Sequence, residues 1–413
     1  METRIITIPP GPPSSSKNTD PSLGAWSPSH PPLTLWTLPS PPTPSLAALA
    51  PAAALLRTTP VPVAFPTETV YGLAADATRP AAVRGIYAAK GRPSDNPLIV
   101  HVCDLSMLRA LVPDGIPEIY APLIARFWPG PLTILLPLVP GTLAPEVTAG
   151  LGTFGARMPA SALARSLIKM VGAPLAAPSA NASTRPSPTA AAHVVEDLRG
   201  RIEVVVDGGV CEVGVESTVV DGLSRPPAVL RPGGVSVEEI RGCEGWEGVV
   251  RGYEDRAALG AGAPRAPGMK YKHYSPRARV VLFERGGRLD DGGVGEGTVG
   301  VIRTRGWEWP GCVVGGGEVV FGGEVVGEGG LRVKEGRVVG REGRVVGREG
   351  RVLDVDLVGD VKGVAHGLFA ALRELDRLGA DVIYVEGVDD DGEDIAAAVM
   401  NRLRKAASEI RSG

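Results

Sequence analysis

Glycine and proline placement constrains this chain most, because neither residue propagates regular secondary structure. The sequence holds 55 glycines and 39 prolines among 413 residues, about twice their usual combined share. Twelve of the prolines lie within residues 9–44, and 22 of the glycines lie within residues 286–350. We therefore expect the packed cores to be built mainly by the rest of the chain.

The proline-rich stretch follows a short β-prone segment, residues 1–8. We predict that the β-prone segment forms a first strand. Since each proline fixes φ and removes a backbone donor, we predict that the rest of residues 1–45 is a disordered insertion. The glycine-rich stretch runs into a repeated heptad, GRVVGRE, across residues 336–352. The repeat has too few copies for a solenoid, so we interpret it as a loop expansion without a function.

Helical and strand patterns alternate between the two stretches without the even spacing of a barrel. The patterns predict helices at 45–57, 81–90, 106–111, 118–127, 161–171 and 190–198. They predict strands at 61–65, 98–102, 132–138, 203–207, 217–221 and 229–231. This order favours an α/β or α+β open twisted sheet. Further strands at 280–284, 300–304 and 381–386, with helices at 365–378 and 395–408, indicate a second, smaller α/β domain.

Charge and cysteine usage exclude several classes of protein. The formal net charge of −3 argues against a protein that mainly coats nucleic acid. The sequence contains no run of 18 or more apolar residues, so we predict no transmembrane helix. The cysteines form no CxxC pair and the histidines show no ligand spacing, so we predict a reducing compartment and no metal bound by protein side chains.

Polar side chains follow the predicted strand at 61–65. Residues 65–73 read FPTETVYGL, which suits either a small polar ligand or a helix capped by Thr67 or Thr69. Lys90 and Arg92 flank a glycine in the next loop, where two cations can meet a polyphosphate or form a solvated basic turn. His101 lies in a predicted strand, where a histidine is more often a buried structural residue than a ligand-binding one.

Arg157 lies among apolar neighbours in TFGARMP, residues 153–159. A buried arginine needs an anion, which is either a fixed carboxylate or a ligand. The small residues of APSAN, 177–181, let backbone approach a ligand, and Ser217 and Arg231 stand at the ends of predicted strands. The sequence contains no Walker A loop and no nucleophile elbow, so a bound nucleotide needs another cradle.

Taken in order, PTETVYGL, KGRP with NPL and His101, RMP, APSAN, VESTVVD and VLRPG resemble the YrdC-like domain. The segment PGMKYKHYSP resembles the linker of the two-domain threonylcarbamoyl-adenylate synthases, and the C-terminal unit resembles their Rossmann-like accessory domain. The resemblance implies a YrdC-like catalytic domain at 46–245 and a linker at 246–276. It implies an accessory domain at 277–413 that carries the glycine-rich insertion 286–350.

This resemblance implies a nucleotidyltransferase that makes threonylcarbamoyl-AMP from L-threonine, bicarbonate or CO2, and ATP, with release of pyrophosphate. The product would serve threonylcarbamoyladenosine formation in tRNA. Mg²⁺ would arrive with ATP, and tRNA or the downstream transferase complex would be further partners. No membrane partner is expected, and the location would be cytoplasmic, with a mitochondrial pool as an option. The alternatives are a non-catalytic RNA-binding module and a relative that acts on another amine.

The family's site residues carry over only onto matching positions. Threonine contacts are expected from Thr69, His101, Arg157, Ala177 and Ser217. ATP contacts are expected from Arg92, Asn96, Thr153, Ser179, Ser187, Arg231 and a linker tyrosine, Tyr271 or Tyr274. A catalytic role is expected for Lys90, Arg92, Ser179 and Asn181.

Overall fold

A computed structural model describes residues 1–9, 20–92, 94–253, 273–284, 297–307, 317–327, 330–340, 350–390 and 394–412. Packing divides the chain into two compact units. The first comprises Met1–Ser183 and Ser187–Tyr271, and the second comprises Thr184–Pro186 and Lys272–Gly413.

The first unit is built on an eleven-stranded sheet with the order β1-β10-β4-β5-β9-β6-β8-β7-β11-β12-β13. Its strands are β1 (Arg4–Thr7), β4 (Val63–Phe65), β5 (Gly72–Asp76), β6 (Ile99–His101), β7 (Leu132–Pro137), β8 (Thr153–Arg157), β9 (Leu175–Ala176), β10 (Val204–Asp207), β11 (Thr218–Asp221), β12 (Ala228–Arg231) and β13 (Val250–Arg251). A separate two-stranded ribbon pairs β2 (Ala25–Trp26) with β3 (Trp36–Thr37). Parallel and antiparallel neighbours mix, as in the predicted open twisted sheet.

Helices cover the sheet of the first unit. They are α1 (Pro44–Thr58), α2 (Pro80–Lys90), α3 (Leu105–Leu111), α4 (Ala121–Phe127), α5 (Pro145–Thr148), α6 (Ala162–Val171), α7 (Ala191–Leu198) and α8 (Val237–Arg241), with a 3₁₀ turn at Glu118–Tyr120. Thr43 caps α1 by accepting from the Leu46 amide. Ser161 caps α6 in the same way, through the Ala164 amide.

Apolar strand residues bury both faces of this sheet. Successive side chains of a strand point to opposite faces, so Val204 and Val206 join one core while Val205 joins the other. The unbroken apolar runs that predicted these strands follow from this two-sided burial.

The second unit has a seven-stranded sheet with the order β16-β17-β18-β15-β19-β14-β20. Its elements are β14 (Arg279–Glu284), β15 (Thr298–Arg303), β16 (Gly317–Val326), β17 (Arg332–Gly340), β18 (Arg351–Asp356), α9 (Val361–Arg377), β19 (Val382–Glu386), α10 (Ile395–Ala406) and β20 (Glu409–Ser412). The strands from β18 to β20 in this order are parallel, while β16, β17 and β18 pair antiparallel. This parallel sheet agrees with the predicted smaller α/β domain.

The predicted disorder of the proline-rich insertion is wrong for residues 20–44. Two tryptophans provide enough apolar surface to fold it, and Trp36 is completely buried at the centre of β2 and β3. The segment also lies against α1 and α6, in one of the hydrophobic cores of the unit. Residues 10–19 lie outside the described part of the chain.

The glycine-rich interpretation is wrong in a similar way, apart from the strand predicted at 300–304, which β15 confirms. β16 and β17 also fall within 286–350, because backbone pairing does not require large side chains. The heptad repeat is partly placed in β17 and β18, and residues 341–349 lie outside the described residues.

One domain boundary and one possible helix cap also differ from what the sequence suggested. Residues 246–251, assigned to the linker, belong to the first unit, because Trp246 is buried and β13 pairs with β12. Thr67 and Thr69 cap no helix, since the chain from β4 turns back into β5.

Candidate functional site

Arg157 forms the centre of a buried cluster in the first unit. Its Nη2 lies 2.6 Å from Glu68 Oε1, and its Nη1 donates to Thr69 Oγ1 at 2.9 Å. Its Nε donates to the Gly130 carbonyl at 3.2 Å. The two side chains of the ion pair are only 4% and 8% exposed. A guanidinium carries five N–H groups, and side chains or carbonyls among the described residues engage three of them.

The fixed carboxylate that a buried arginine requires is therefore Glu68. Glu68 lies within the motif PTETVYGL, but no individual role was predicted for it from the sequence. The signal was available, because Arg157 sits in an apolar segment and a carboxylate flanked by threonines was a candidate partner. The distance of 89 positions between the two residues hid the pairing.

His101 is the register partner of Arg157 in the parallel pair of β6 and β8. Burial, reinforced by the nearby Arg157 charge, lowers the pKa of His101 to about 3. Its Nδ1 lies 3.2 Å from the Ile99 carbonyl oxygen, which can accept a ring proton from this nitrogen. His101 is thus a neutral imidazole next to a cation.

A second group of contacts joins Ser217 and Arg231. Arg231 Nη2 donates to the Ser217 carbonyl at 2.8 Å and to Ser217 Oγ at 3.1 Å. Ser217 Oγ lies 2.8 Å from Thr133 Oγ1, and Thr133 is the register partner of Arg157 in β7 and β8. The structure therefore brings both predicted residues to the sheet end where Arg157 lies.

Close backbone approach holds this second group in place. A Cβ at Gly233 would lie 2.3 Å from both the Glu216 carbonyl oxygen and the Thr218 amide nitrogen. The glycine of VLRPG is therefore required for the two motifs VESTVVD and VLRPG to pack together.

Lys90 ties the end of α2 to the APSAN segment. Its Nζ donates to the Ser179 carbonyl at 2.5 Å and to the Asn181 carbonyl at 2.7 Å. Gly72 bridges Ser179, and the Ala180 amide donates to the Tyr71 carbonyl. PTETVYGL and APSAN are thus bonded to each other, while the Ala177 amide donates to Ile99 of β6. The observed position of Lys90 supports a role in shaping this segment; its predicted contact with phosphate remains a prediction.

The residues expected to contact ATP are more widely spread. Asn96 precedes β6 and Thr153 opens β8, at the amino ends of these parallel neighbours. Four residue steps, about 13 Å of extended strand, separate Thr153 from Arg157. Thr153 is therefore not brought to the Arg157 cluster. Arg92 lies beyond the end of α2, and its amide donates to the Tyr87 carbonyl.

Two buried polar groups mark this part of the site. Asn96 Oδ1 is buried and accepts no hydrogen bond from the residues that the structure describes. Ser187 Oγ donates to Glu216 Oε1 at 2.6 Å, and both side chains are buried. Glu216, like Glu68, was missed in the sequence analysis, although it stands beside Ser217 in VESTVVD.

Of the two linker tyrosines, Tyr274 lies among the described residues. Tyr274 is buried in the second unit, where its ring stacks on Phe369 at a centroid distance of 5.2 Å. Its φ of 64° lies in the left-handed region, which is strained for a tyrosine. Tyr271 lies outside the described residues, so the choice between the two stays a prediction.

The described residues contain neither a cluster of metal-ligating side chains nor a helix suited to a membrane. No group of three or more His, Cys, Asp or Glu side chains there could hold a metal ion. None of the helices in those ranges is both long enough and apolar enough to span a bilayer.

Comparisons with known proteins cover almost the whole chain. The family model described as Telomere recombination matches residues 60–233, and the model described as Threonylcarbamoyl-AMP synthase, C-terminal domain, matches residues 235–408. Threonylcarbamoyl-AMP synthase of Schizosaccharomyces pombe is 43% identical over 90% of this chain and 91% of its own length. Its counterpart in Bacillus subtilis is 44% identical over 87% of this chain and 92% of its own length. The crystal structure of P. abyssi Sua5 complexed with L-threonine matches with a TM-score of 0.69 and 36% identity, over 89% of this chain and 96% of that one.

Proposed function

The chain belongs to the threonylcarbamoyl-AMP synthase family, and from this premise we propose that it makes threonylcarbamoyl-AMP from L-threonine, bicarbonate or CO2, and ATP. The observation that carries the proposal is the buried Arg157, which Glu68 and Thr69 hold while the described residues engage three of its five N–H groups. An amino acid carboxylate fits such a fork, because a guanidinium binds carboxylates in a bidentate manner.

The first chemical step joins threonine to CO2. The amine nitrogen forms a bond to the carbon of CO2 and loses a proton, which leaves a carbamate. A protonated histidine would repel the ammonium form of the substrate, whereas His101 stays neutral across the physiological range. Neutral His101 can therefore lie beside the substrate without adding a second positive charge to that of Arg157.

The second step transfers the adenylyl group. A carbamate oxygen attacks the α-phosphorus of ATP, the bond to the bridging oxygen of the β-phosphate breaks, and pyrophosphate leaves. Such a reaction depends mainly on positioning and on neutralising charge. Arg92 and Arg231 are the proposed cations, and the buried Asn96 Oδ1 is an acceptor suited to a nucleotide donor.

Mg²⁺ would accompany ATP in this proposal. The cations and hydroxyls described above suit a metal held by phosphate oxygens and water rather than by a cluster of carboxylates. When bound, the ion would neutralise charge on the triphosphate, while the protein residues position the phosphates.

The activity is tested with the purified full chain, ATP, Mg²⁺ and bicarbonate, with and without L-threonine. We expect pyrophosphate release that requires threonine, together with a product of the mass of threonylcarbamoyl-AMP. Release that is absent, or independent of threonine, would refute the proposal. Replacing threonine by serine or valine in the same assay tests the alternative of another amine.

The Arg92→Ala variant tests the second step of the reaction, the adenylyl transfer. We expect turnover to fall about 10²-fold, by analogy with the loss of one charge-stabilising group in other enzymes, while the melting temperature stays unchanged. Arg199→Ala, which removes an exposed arginine after α7, is the control and should keep full activity. A folded Arg92→Ala protein with normal turnover would remove Arg92 from the site.

The RNA-binding alternative predicts a different result. A module that binds RNA without catalysis would show salt-dependent tRNA binding and no threonine-dependent pyrophosphate release. The near-full-length similarity to proteins named as synthases favours the enzyme over this alternative.

A further inference from the structure

We propose that residues 20–44, hereafter the proline-rich segment, position the threonine end of the site by holding the chain just beyond His101 and just beyond Arg157. The inference rests on the proposed function, since it assumes that these two residues meet the substrate. The segment lies outside the residues matched by the family model, 60–233.

Trp36 anchors the proline-rich segment to α6. Its ring is completely buried and meets Trp26 edge to face at a centroid distance of 4.9 Å. Trp36 Nε1 donates to Ser166 Oγ at 3.0 Å, and Ser166 Oγ donates in turn to the Leu23 carbonyl at 2.9 Å. Ser166 thus connects β3, and the turn that precedes β2, to one helix.

The segment also holds the start of α3, which begins four residues after His101. The Trp36 amide donates to the buried Asp104 Oδ2 at 3.1 Å, while Asp104 Oδ1 caps α3 at the Met107 amide. Backbone bonds reinforce this contact, because the Leu105 amide donates to the Leu33 carbonyl at 2.8 Å. Movement of the chain after β6 would therefore break contacts to the segment.

A second contact runs through Arg165 of α6 to the chain beyond Arg157. The guanidinium carbon of Arg165 lies 4.2 Å from the centroid of the Trp36 ring. Arg165 Nη1 donates to the Pro159 carbonyl at 2.8 Å and to the Ala160 carbonyl at 2.7 Å. Burial lowers the pKa of Arg165 to about 10, so the side chain stays charged at neutral pH. The indole face stabilises this buried cation.

The two contacts converge on one pair of residues. His101 and Arg157 are register partners at the carboxyl ends of β6 and β8. Trp36 therefore holds the chain that leaves each of these neighbouring strands, through its backbone amide beyond His101 and through its indole ring beyond Arg157. Because small displacements of positioning groups lower catalytic efficiency steeply, a segment that fixes both strand ends fixes the threonine contacts.

Trp36→Phe tests the inference in the full-length protein, since it keeps a ring but removes the bond to Ser166. We expect the KM for threonine to rise about tenfold, below the ~10²-fold that a misplacement of 1 Å can cost. The KM for ATP should not change. Trp246→Phe is the matched control, because Trp246 is also fully buried in the first unit and its Nε1 donates to the Ile119 carbonyl at 2.7 Å. The control should leave both KM values unchanged.

Arg165→Lys tests the second contact separately, since it keeps the charge and loses the double contact to Pro159 and Ala160. It should raise the KM for threonine selectively, as Trp36→Phe does. If both variants lower the melting temperature but leave the KM for threonine unchanged, or if they shift the KM for ATP equally, the positioning role is refuted.

Calorimetric binding of L-threonine separates this inference from the proposed function. Ser166→Ala removes only one hydroxyl, so this variant should fold even if Trp36→Phe or Arg165→Lys does not. Its affinity for threonine is measured beside that of the unaltered chain. Weaker threonine binding by Ser166→Ala supports positioning even if the unaltered chain makes no product. Equal binding by the two proteins overturns it, even if the synthase activity is confirmed.

Discussion

The proline-rich segment and the hairpin of β16 and β17 have similarly loop-like compositions but are held in different ways. In the segment, Trp36 is fully buried and its polar atoms bond to Asp104 and Ser166. In the hairpin, Val320 and Val326 are 52% and 65% exposed. The difference shows that a few large side chains decide whether a proline-rich stretch packs, whereas backbone pairing is enough to form a glycine-rich hairpin.

The position of each region in its sheet explains this difference. β16 is the edge strand of the described sheet in the second unit, and its pairing with β17 shifts register between Phe321 and Gly323. An edge hairpin of this kind is stabilised by its ladder, and a bulge makes it a poorer template for further pairing. Side-chain substitutions should therefore have large effects in the proline-rich segment and small ones in the hairpin.

Truncation of a side chain should show the largest contrast. Trp36→Ala removes a fully buried indole and should lower the free energy of unfolding of the first unit by about 3–5 kcal/mol. Val320→Ala should change that of the second unit by less than about 0.5 kcal/mol. Hydrogen exchange followed by mass spectrometry reports the two units separately, and similar losses in both would contradict the contrast.

Addition of a methyl group should give effects of opposite sign. A Cβ at Gly24 would lie 2.6 Å from Trp36 Nε1 and 2.8 Å from the Thr37 carbonyl oxygen, so Gly24→Ala should cost about 1–3 kcal/mol by overpacking. A Cβ at Gly322 meets nothing within 4 Å. Gly322→Ala should stabilise the hairpin by about 0.4–1 kcal/mol through the unfolded state. Thermal unfolding and exchange rates test both, and a stabilising Gly24→Ala would show that the ribbon is loosely packed.

An effect confined to acid, and absent at neutral pH, should appear on the strand end that the proline-rich segment holds. The folded pKa of His101 is about 3, whereas an unfolded histidine has a pKa of about 6.5. Below pH 6.5 the unfolded state binds a proton that the folded state does not, so stability of the first unit should fall as the pH drops towards 3. His101→Gln should reduce this slope, and His30→Gln, an exposed histidine of the segment, should not. Unfolding by urea at several pH values provides the measurement, and equal slopes in the two variants would contradict the assignment.

Elements with local signals were predicted well. α2 runs from Pro80 to Lys90 against a prediction of 81–90, because its apolar pattern and its terminal glycine are both local. β5, β8 and β9 were missed, since β9 has only two residues and Gly155 interrupts the apolar run of β8. Their pairing depends on neighbours far away in the sequence, which no local pattern reports.

The same distinction between local and long-range signals applies to the candidate site. The motifs identified Arg157, Ser217, Arg231 and Lys90 as positions of interest, because charged and hydroxyl side chains beside apolar strands are visible in any sequence. Their partners were not visible: the pairing of Arg157 with Glu68 spans 89 positions, and that of Arg231 with Ser217 depends on the antiparallel pairing of β11 and β12.

By itself the sequence determined the alternation of elements, the motifs and the family they resemble, because these depend on residue type and short-range order. Only the tertiary structure decided that Glu68 neutralises Arg157 and that Trp36 lies over Arg165, next to the chain that follows His101 and Arg157. The physical reason is burial: a charge or an indole removed from water must find its partners within a few ångströms, and the fold alone brings those partners there.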